Sequence, residues 1–378
     1  MTEERSNRIE RVRKLLIENE IDTLLVMVDA NRRYLSGFTP DDHQIDESSG
    51  VLLITADRLL LATDGRFDTQ ARQEAPLFEV VIYREGLAKE LPSLTRSLNT
   101  VKLGFESARV SYSVYTHFKE KLTEAQSCVT LVPTEDLVEQ LRLVKSSDEI
   151  DRTVKSLSLA EKTFLKVVQT LAPGMTENEA AWALEKGMRE AGAEALSFPV
   201  IAAAGPNSAL PHAVPGDRPI KKGEPLLFDW GARLNGYCSD ISRTIVLGEP
   251  DETFIKVHQT VLEAQQRAIQ AIRAGASTQA IDALARTHIE HQGFKDKFAH
   301  SLGHGTGLVV HEAPRLGPVK DFTLVSGMIV TVEPGIYLPG WGGVRIENQV
   351  VVEENGARVL NGINTSFRIA ELLDSERP

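Results

Sequence analysis

The sequence contains little cysteine, with only Cys128 and Cys238 in 378 residues. Two thiols can build neither a disulfide framework nor a thiolate zinc site, so any metal must be bound by oxygen and nitrogen. Basic residues are also in deficit, because 53 aspartates and glutamates outnumber 42 lysines and arginines and give a formal net charge of −11. Since phosphate binding requires a basic surface, this balance argues against nucleic acid as a partner.

Long apolar runs are absent as well. No stretch approaches the roughly 20 apolar residues that a membrane span requires. The amino-terminal segment MTEERSNRIERVRKLL is charged and has no apolar signal-peptide stretch. We therefore expect a cytoplasmic protein without a membrane partner. With 42% hydrophobic and 25% charged residues, the composition is that of a globular protein, and the length fits two or three domains.

The first third of the chain alternates strand-like and helical segments after an amphipathic helix predicted over residues 5–20. This alternation predicts an α/β domain over residues 1–135, followed by a second domain over 136–378. A capping box formed by Ser146 and Glu149 predicts a helix that extends to about Leu171. The strands of the first domain are predicted at Thr23–Val28, Val51–Thr55, Leu59–Thr63, Phe78–Tyr83, Lys102–Phe105 and Val129–Val132.

The remaining sequence contains an internal repeat. Gly174 and Gly192 are 18 residues apart, as are Gly275 and Gly293. In each copy a glycine ends one helix, and a hydroxyl residue two positions later can cap the next helix. The match continues with two segments that carry glycine, acid and glycine at the same offsets, Gly223–Gly231 and Gly327–Gly335. Two similar halves predict a pseudo-twofold domain.

Each half supplies two acids. Asp229 and Glu333 end strand-like segments, and Asp240 and Glu347 follow them in the two halves. Asp229 follows an apolar run, so its strand is expected to be buried, and a buried acid needs a cation or a proton. Asn235-Gly236 is typical of a type I′ hairpin turn, which would pair residue 229 with 242 and place Asp229 and Asp240 on one face. We expect the four carboxylates to meet between the halves.

A histidine lies between these acids in the sequence. His304 is surrounded by glycines in Gly303-His-Gly-Thr-Gly307, which lets the backbone approach whatever the imidazole binds. Taken alone, a histidine in this setting is more often a core residue than a ligand. Four carboxylates and one imidazole, however, form an oxygen-rich set suited to two divalent ions such as Mn²⁺, Co²⁺ or Zn²⁺. Two ions about 3.5–4 Å apart can bridge a hydroxide nucleophile and hold the oxyanion that its attack forms, which is hydrolase chemistry.

The motifs around these residues resemble those of the pita-bread metallopeptidases, and within them the Xaa-Pro dipeptidase (prolidase) and Xaa-Pro aminopeptidase branch. They are Phe228-Asp-Trp-Gly231, Tyr237-Cys-Ser-Asp-Ile-Ser-Arg-Thr244, Gly303-His-Gly-Thr-Gly307, Val332-Glu-Pro-Gly-Ile-Tyr337 and Gly343-Val-Arg-Ile-Glu-Asn348. Asn31-Arg-Arg-Tyr-Leu-Ser-Gly-Phe38 and Asp64-Gly-Arg-Phe67 resemble that branch's first domain. The resemblance implies an α/β amino-terminal domain and an α+β pita-bread catalytic domain, with pseudo-twofold duplication and a curved, mainly antiparallel sheet.

The resemblance also implies roles for individual residues. Two divalent ions, with Mn²⁺ favoured, would be bound by Asp229, Asp240, His304, Glu333 and Glu347. Glu333 would also act as general base or proton shuttle, and His212 and His311 would contact the substrate or the tetrahedral intermediate. The other candidate substrate-binding residues are His300, Arg315, Tyr337 and Arg345. The same branch implies a homodimer.

Arg315 matches an arginine that in prolidases binds the free carboxylate of a dipeptide, a task that suits paired guanidinium donors. We therefore expect cleavage of the Xaa-Pro bond in dipeptides, with Xaa-Pro aminopeptidase activity on longer peptides as the alternative. A metal-independent, creatinase-like hydrolase and a non-catalytic pita-bread protein that binds peptides or histones are disfavoured, because the acid set is intact. His288 and His291 are expected to face solvent, and Cys238 is expected to fill the hairpin.

Overall fold

The computed structural model describes residues 2–42, 44 and 47–374. The chain divides into two compact units, Met1–Arg142 and Leu143–Pro378. In the first unit the helices are α1 (Thr2–Glu18), α2 (Asp29–Ser36), α3 (Asp68–Glu74), α4 (Leu87–Ser97), α5 (Tyr112–Glu124) and α6 (Glu139–Arg142). Its strands are β1 (Thr23–Val26), β2 (Val51–Thr55), β3 (Leu59–Asp64), β4 (Glu79–Tyr83), β5 (Lys102–Glu106) and β6 (Thr130–Thr134).

In the second unit the helices are α7 (Ser147–Val168), α8 (Glu177–Glu190), α9 (Glu252–Ala271), α10 (Thr278–Ile289) and α11 (Ile369–Leu373). The strands of its first half are β7 (Ala195–Leu196), β8 (Ile201–Ala204), β9 (Pro225–Trp230), β10 (Ala232–Leu234), β11 (Tyr237–Cys238) and β12 (Ile241–Val246). Those of its second half are β13 (Gly303–Gly305), β14 (Glu312–Leu316), β15 (Ile329–Val332), β16 (Gly335–Leu338), β17 (Gly342–Arg345), β18 (Asn348–Glu353) and β19 (Gly356–Val359). Across the described ranges, no helix is both long and apolar enough to cross a membrane.

The first unit is built on a mixed six-stranded sheet in the order β4-β3-β2-β1-β5-β6. All six strands that the sequence predicted are present, with ends that differ by at most two residues. Strands β1 and β2 are buried at every residue, as expected for central strands covered on both faces. The α/β class predicted for this part of the chain is therefore confirmed.

The predicted boundary after residue 135 lies before helix α6, and that helix is tied to the first unit. The Tyr34 hydroxyl donates to the Leu141 carbonyl at 3.0 Å. The Arg142 guanidinium donates to Asn31 Oδ1 at 2.7 Å. The first unit accordingly extends through Arg142. Helix α7 then begins as predicted, with the Ser146 hydroxyl and the Glu149 carboxylate forming a reciprocal capping box.

The second unit shows the predicted duplication. Thr176 caps α8 and Ser277 caps α10, each by accepting a hydrogen bond from the backbone N–H three residues later. Its strand pairs are antiparallel. Two apolar cores correspond to the halves: one surrounds Phe164 and Trp230, and the other surrounds Phe254 and Val330. Each half therefore buries its own apolar surface beside strands that carry the acids.

The first acid-bearing hairpin has the predicted register. Asn235 and Gly236 both adopt positive φ angles, 51° and 85°, as a type I′ turn requires. Strand β9 consequently pairs Asp229 with Ser242 of β12. This pairing fixes where the Asp229 side chain lies.

One minor expectation was wrong. His288 was predicted to face solvent, but it is 8% exposed and its Nε2 lies 3.1 Å from Glu263 Oε2. Helix α10 packs against α9, which carries Glu263, and the spacing of two histidines on a helix does not reveal which face is covered. His291 is exposed as expected.

Candidate metal centre

The five predicted ligands lie at strands or strand ends of the second unit. Asp229 lies in β9, His304 lies in β13, and Glu333 directly follows β15. Asp240 occupies the link between β11 and β12, and Glu347 occupies the link between β17 and β18. Pleated, hydrogen-bonded strands hold side chains in fixed directions. The backbone N–H of Glu333 donates to the Leu302 carbonyl at 2.8 Å, and that of Glu347 donates to the Ser242 carbonyl at 3.1 Å, so these two link residues are also held in place.

Distances between side-chain atoms show that these groups converge. His304 Nε2 lies 3.3 Å from Glu333 Oε1 and 3.5 Å from Asp240 Oδ2. One ligand atom from each of Asp240, His304 and Glu347 can be chosen so that all three lie within 4.8 Å of one another, and the three residues are buried. Asp229, Asp240, His304 and Glu333 also line one cavity. Carboxylates and an imidazole gathered in this way form a set that can coordinate divalent cations.

Two buried carboxylate oxygens give a test of whether a cation fits. Asp229 Oδ1 and Glu347 Oε1 have no hydrogen-bond partner among the described residues. A buried carboxylate oxygen without a donor is costly, and the Arg345 guanidinium, which is bonded to Asp229, contacts its other oxygen. The orientation of these atoms is therefore consistent with metal ligation and not with a satisfied structural network.

The electrostatics of the cluster lead to the same conclusion. Burial raises the pKa of Asp240 well above its usual range, and the nearby charge of Glu347 raises it further. Burial also raises the pKa of Glu347 well above its usual range, with Glu333 as the next cause. Glu333 differs: burial opposes its ionisation, but hydrogen bonding and positive charge from His304 lower its pKa to about 2. Crowded carboxylates of this kind are stabilised in their charged forms by a cation.

Arg345 connects this cluster to a chain of polar side chains. Its Nη2 donates to Asp229 Oδ2 at 2.6 Å, and its Nη1 donates to the Tyr337 hydroxyl oxygen at 2.9 Å. That hydroxyl lies 2.9 Å from His300 Nε2, while His300 Nδ1 lies 2.8 Å from the Ser301 carbonyl. Because a carbonyl only accepts, Nδ1 carries the proton and Tyr337 donates to Nε2. Burial lowers the pKa of His300, so this imidazole stays neutral at pH 7.

Two hydroxyl residues that sequence reasoning missed orient the predicted ligands. Ser242 donates to Glu347 Oε2 at 2.8 Å and accepts from Arg345 Nε at 2.8 Å. Thr331 accepts from the His304 backbone N–H at 3.0 Å and donates to Glu333 Oε1 at 3.3 Å. Strand alternation could have suggested Thr331, two residues before Glu333 on the same face. No local pattern distinguishes Ser242 from other buried strand serines.

Arg243 was quoted only as part of a motif, yet it supports Glu347 directly. This buried arginine donates to the backbone carbonyls of Ser242 at 2.9 Å and Glu347 at 2.5 Å. It also donates to Asn348 Oδ1 at 2.9 Å. Burial lowers the pKa of Arg243 to about 10, which leaves the guanidinium charged at neutral pH. Arg243 thereby holds the Glu347 carbonyl and the side chain of the following Asn348.

The cavity beside the cluster measures about 420 Å³. The predicted substrate residues that line it are His212, His300, His311, Arg315 and Arg345. Arg315 faces His304 across the β13–β14 pair, and the His311 ring packs edge-on against His304 with centroids 4.4 Å apart. Tyr337 does not line the cavity but lies behind its wall. Pro199, Val200 and Pro215 add apolar surface, so the cavity combines polar groups and apolar walls in the manner of ligand sites.

Both units of the chain match known protein families. Residues 152–354 match Metallopeptidase family M24, and residues 8–144 match the Creatinase/Prolidase N-terminal domain. The chain is 36% identical over 353 residues to the Xaa-Pro dipeptidase of Pyrococcus furiosus, which covers 93% of this chain and 97% of that protein.

Two solved structures are similar over nearly the whole chain. The Xaa-Pro dipeptidase from Bacillus anthracis superposes with a TM-score of 0.90 at 39% identity, covering 96% of this chain and 99% of that one. An X-Pro aminopeptidase from Thermotoga maritima superposes with a TM-score of 0.84 at 37% identity, covering 92% and 98%. The pita-bread fold expected from the motifs is thus confirmed. By its matched residues, its relatives and its buried acid cluster, the chain belongs to metallopeptidase family M24.

Proposed function

We propose that this chain hydrolyses the peptide bond before proline, with two divalent ions bound by Asp229, Asp240, His304, Glu333 and Glu347. The observation that carries the proposal is the pair of buried carboxylate oxygens, Asp229 Oδ1 and Glu347 Oε1, that lack partners within the described part of the chain. They lie in a cluster with other carboxylates and one imidazole, for which cations are the matching ligands. The named Xaa-Pro relatives supply the reaction class.

The donor set also limits which metals suit the site. Its four carboxylates and one imidazole match Mn²⁺ best, with Co²⁺ and Zn²⁺ as alternatives. By the family resemblance, Asp240 and Glu347 would contact both ions. When bound, such ions supply the Lewis acidity and the activated water that amide hydrolysis needs.

Three residues of the chain would move or donate protons during the reaction. Glu333 would be the general base, and hydrogen bonding and positive charge from His304 lower its pKa and keep its carboxylate ionised. His212 and His311 are exposed at the cavity, where their N–H groups can donate to an oxyanion. Burial and the neighbouring His304 lower the pKa of His311, and a neutral imidazole still offers one N–H donor.

Dipeptides are the favoured substrates because of Arg315. Its exposed side chain lines the cavity opposite His304, where a guanidinium can bind a substrate carboxylate through paired donors. In a dipeptide that carboxylate belongs to proline itself. The alternative is an aminopeptidase acting on longer peptides, and the Thermotoga maritima likeness favours it.

The test compares Ala-Pro, Ala-Pro-Ala and Ala-Ala as substrates of the purified protein with Mn²⁺, before and after treatment with a chelator. We expect the rate of Ala-Pro cleavage to exceed the rates for both other peptides. We also expect this activity to disappear when the chelator removes the metal. An Asp240→Asn variant serves as the matched inactive control, because amide for carboxylate preserves size while removing a charged ligand. Equal rates on Ala-Pro and Ala-Ala would contradict the proposal, and faster cleavage of Ala-Pro-Ala would select the aminopeptidase.

A homodimer belongs to the same proposal and rests on resemblance. Analytical ultracentrifugation of the purified protein checks it, with twice the chain mass of 41.6 kDa as the expected result. A sedimentation mass equal to one chain would contradict it. The cytoplasmic location expected from the sequence stays a prediction.

A further inference from the structure

Glu177 is a buried carboxylate that the proposed reaction does not use. It is the first residue of α8 and is fully buried. Its Oε1 accepts from the Ala204 backbone N–H at 2.7 Å and from Asn207 Nδ2 at 3.0 Å. Its Oε2 accepts from the same amide at 3.1 Å and from the Gly216 backbone N–H at 3.1 Å. One carboxylate thus bonds both ends of the segment 204–216.

This segment is a wall of the proposed active site. It begins at the end of β8, a strand that pairs Ile201 with Asp229. Its residues 211–215 line the cavity, and His212 is among them. Arg345 Nη1 donates to the Pro211 carbonyl at 3.1 Å, and the Gly343 N–H donates to Ser208 Oγ at 2.8 Å. The loop is therefore fastened to the acid cluster on one side and to Glu177 on the other.

Within the described part of the chain, the hydrogen-bond donors to the Glu177 carboxylate are neutral N–H groups of this loop. The nearby Arg218 is engaged by Glu224, with two contacts of 2.6 Å. A buried carboxylate is costly unless its oxygens are satisfied by hydrogen bonds, and charge-assisted bonds are roughly twice as strong as neutral ones. The Glu177 carboxylate is consequently satisfied only while the loop keeps this conformation, and its hydrogen bonds stabilise that conformation.

The second half of the duplicated unit provides an internal comparison. The residue after the cap is Glu177 in the first copy and Thr278 in the second. Thr278 is equally buried, and its hydroxyl accepts from the Phe322 N–H at 2.9 Å and donates to Asp321 Oδ1 at 3.4 Å. In this copy the carboxylate belongs to the loop, because the exposed Asp321 also accepts from the Gln279 N–H at 3.1 Å. Of the two carboxylates, the one that is buried and lies on the helix is Glu177, in the copy whose loop carries His212.

We propose that Glu177 is a positioning residue that holds the 204–216 loop so that His212 faces the reacting peptide bond. The kinetic consequence of this inference rests on the proposed function. The hydrogen bonds from the loop to Glu177, called the clamp below, can be tested without measuring catalysis. If Glu177 acts through His212, then loosening the loop removes what His212 contributes and nothing else. A residue that only stabilises the fold would lower activity whether or not His212 is present.

The test is a double-mutant cycle of Glu177→Gln with His212→Ala, assayed on Ala-Pro with Mn²⁺. Glutamine keeps the shape but places an amide NH₂ against one of the loop donors. We expect kcat/KM to fall about tenfold in the natural background and less than twofold when His212 is already alanine, as residues acting through one group are non-additive. Mn²⁺ binding should be unchanged in Glu177→Gln.

Glu179→Gln is the matched control. Glu179 lies in the same helical turn and is exposed, and it contacts Thr176 of the helix cap. This substitution removes the same charge near the same helix terminus but leaves the loop bonds intact, so kcat/KM should stay within twofold. If Glu177→Gln does not fold, Asn207→Ala removes one donor of the same clamp and should show a smaller loss with the same dependence on His212.

Hydrogen exchange separates this inference from the proposed function. The backbone amides of Ala204 and Gly216 should exchange faster in Glu177→Gln than in Glu179→Gln, whatever reaction the protein catalyses. Unchanged exchange at both amides would overturn the clamp. An equal loss of kcat/KM with and without His212 would overturn the positioning role. Absence of Xaa-Pro cleavage by the natural protein would instead refute the proposed function.

Discussion

The buried ion pair between Lys145 and Glu312 leads to a quantitative prediction. The Lys145 ammonium lies 3.1 Å from Glu312 Oε2, and the two side chains are 2% and 8% exposed. Glu312 directly follows His311 in the sequence and accepts from the Val309 N–H at 3.1 Å. The pair therefore ties the loop that carries His311 to Lys145, which lies just before helix α7 in the second unit.

The cost of breaking this pair follows from its burial. At an effective dielectric constant of about 20, two unit charges 3.1 Å apart attract by roughly 5 kcal/mol, and desolvation offsets much of that gain. Removing only the lysine leaves a buried carboxylate, which costs about 3–5 kcal/mol. We expect Lys145→Met to lower the free energy of unfolding by that amount. At roughly 2–4 °C per kcal/mol for a unit of this size, Tm should fall by about 6–20 °C.

Urea unfolding and differential scanning calorimetry measure the effect, and Lys155→Met, at an exposed lysine of the same unit, is the control. The double variant Lys145→Met/Glu312→Leu should recover most of the lost stability, because an apolar pair replaces the buried charge. In Lys145→Met, kcat/KM on Ala-Pro should fall by about tenfold or more as His311 loses its fixed position. A stability loss below about 1 kcal/mol, the range of exposed pairs, would refute the reasoning.

Three further predictions concern acid stability, metal binding and substrate choice. Burial lowers the pKa of His258 from 6.5 to about 4. Between these pH values the unfolded chain binds more protons than the folded chain. The free energy of unfolding should therefore fall by roughly 3 kcal/mol as pH falls from about 6.5 to 4. His258→Phe should remove that slope in urea unfolding measured against pH. Ser242→Ala should weaken Mn²⁺ binding by about 10- to 100-fold in calorimetric titration, because the hydroxyl orients Glu347 and contacts Arg345. Arg315→Met should raise KM for Ala-Pro by roughly 10- to 100-fold, because it removes charge-assisted bonds to the substrate carboxylate.

Controls for these variants come from the chain and from the substrate. His291→Asn, at an exposed histidine, should retain the acid slope, and the same slope in His258→Phe would show that another group causes it. Unaltered Mn²⁺ affinity in Ser242→Ala would mean that Glu347 keeps its orientation without the hydroxyl. Ala-Pro amide lacks the free carboxylate, so Arg315→Met should leave its KM unchanged. An equal rise for the amide would exclude carboxylate recognition.

Much of the fold could be predicted because local signals specify it. Asn235-Gly236 determines a two-residue turn, and that turn sets the register that pairs Asp229 with Ser242. The capping box at Ser146 marks the beginning of a helix without reference to the rest of the chain. The repeat then relates the halves, so an acid in one predicts an acid in the other.

Features that depend on distant packing could not be predicted in this way. Glu177 contacts residues 27 to 39 positions away, and in sequence it is simply an acid in the first turn of a helix, where acids are common. Lys145 and Glu312 are 167 residues apart. His288 was misplaced because helical spacing shows that two residues share a face but not what covers that face. Each of these contacts arises only when separate segments meet.

The central claim is that cleavage before proline depends on divalent ions held by the acid cluster. The most direct test removes metal from the full chain, then adds Mn²⁺ stepwise while Ala-Pro and Ala-Ala hydrolysis and bound metal are measured together. The account predicts no Ala-Pro cleavage by the metal-free protein, and full recovery when two ions are bound per chain. Undiminished Ala-Pro cleavage without metal, or equal cleavage of Ala-Ala after reconstitution, would contradict it.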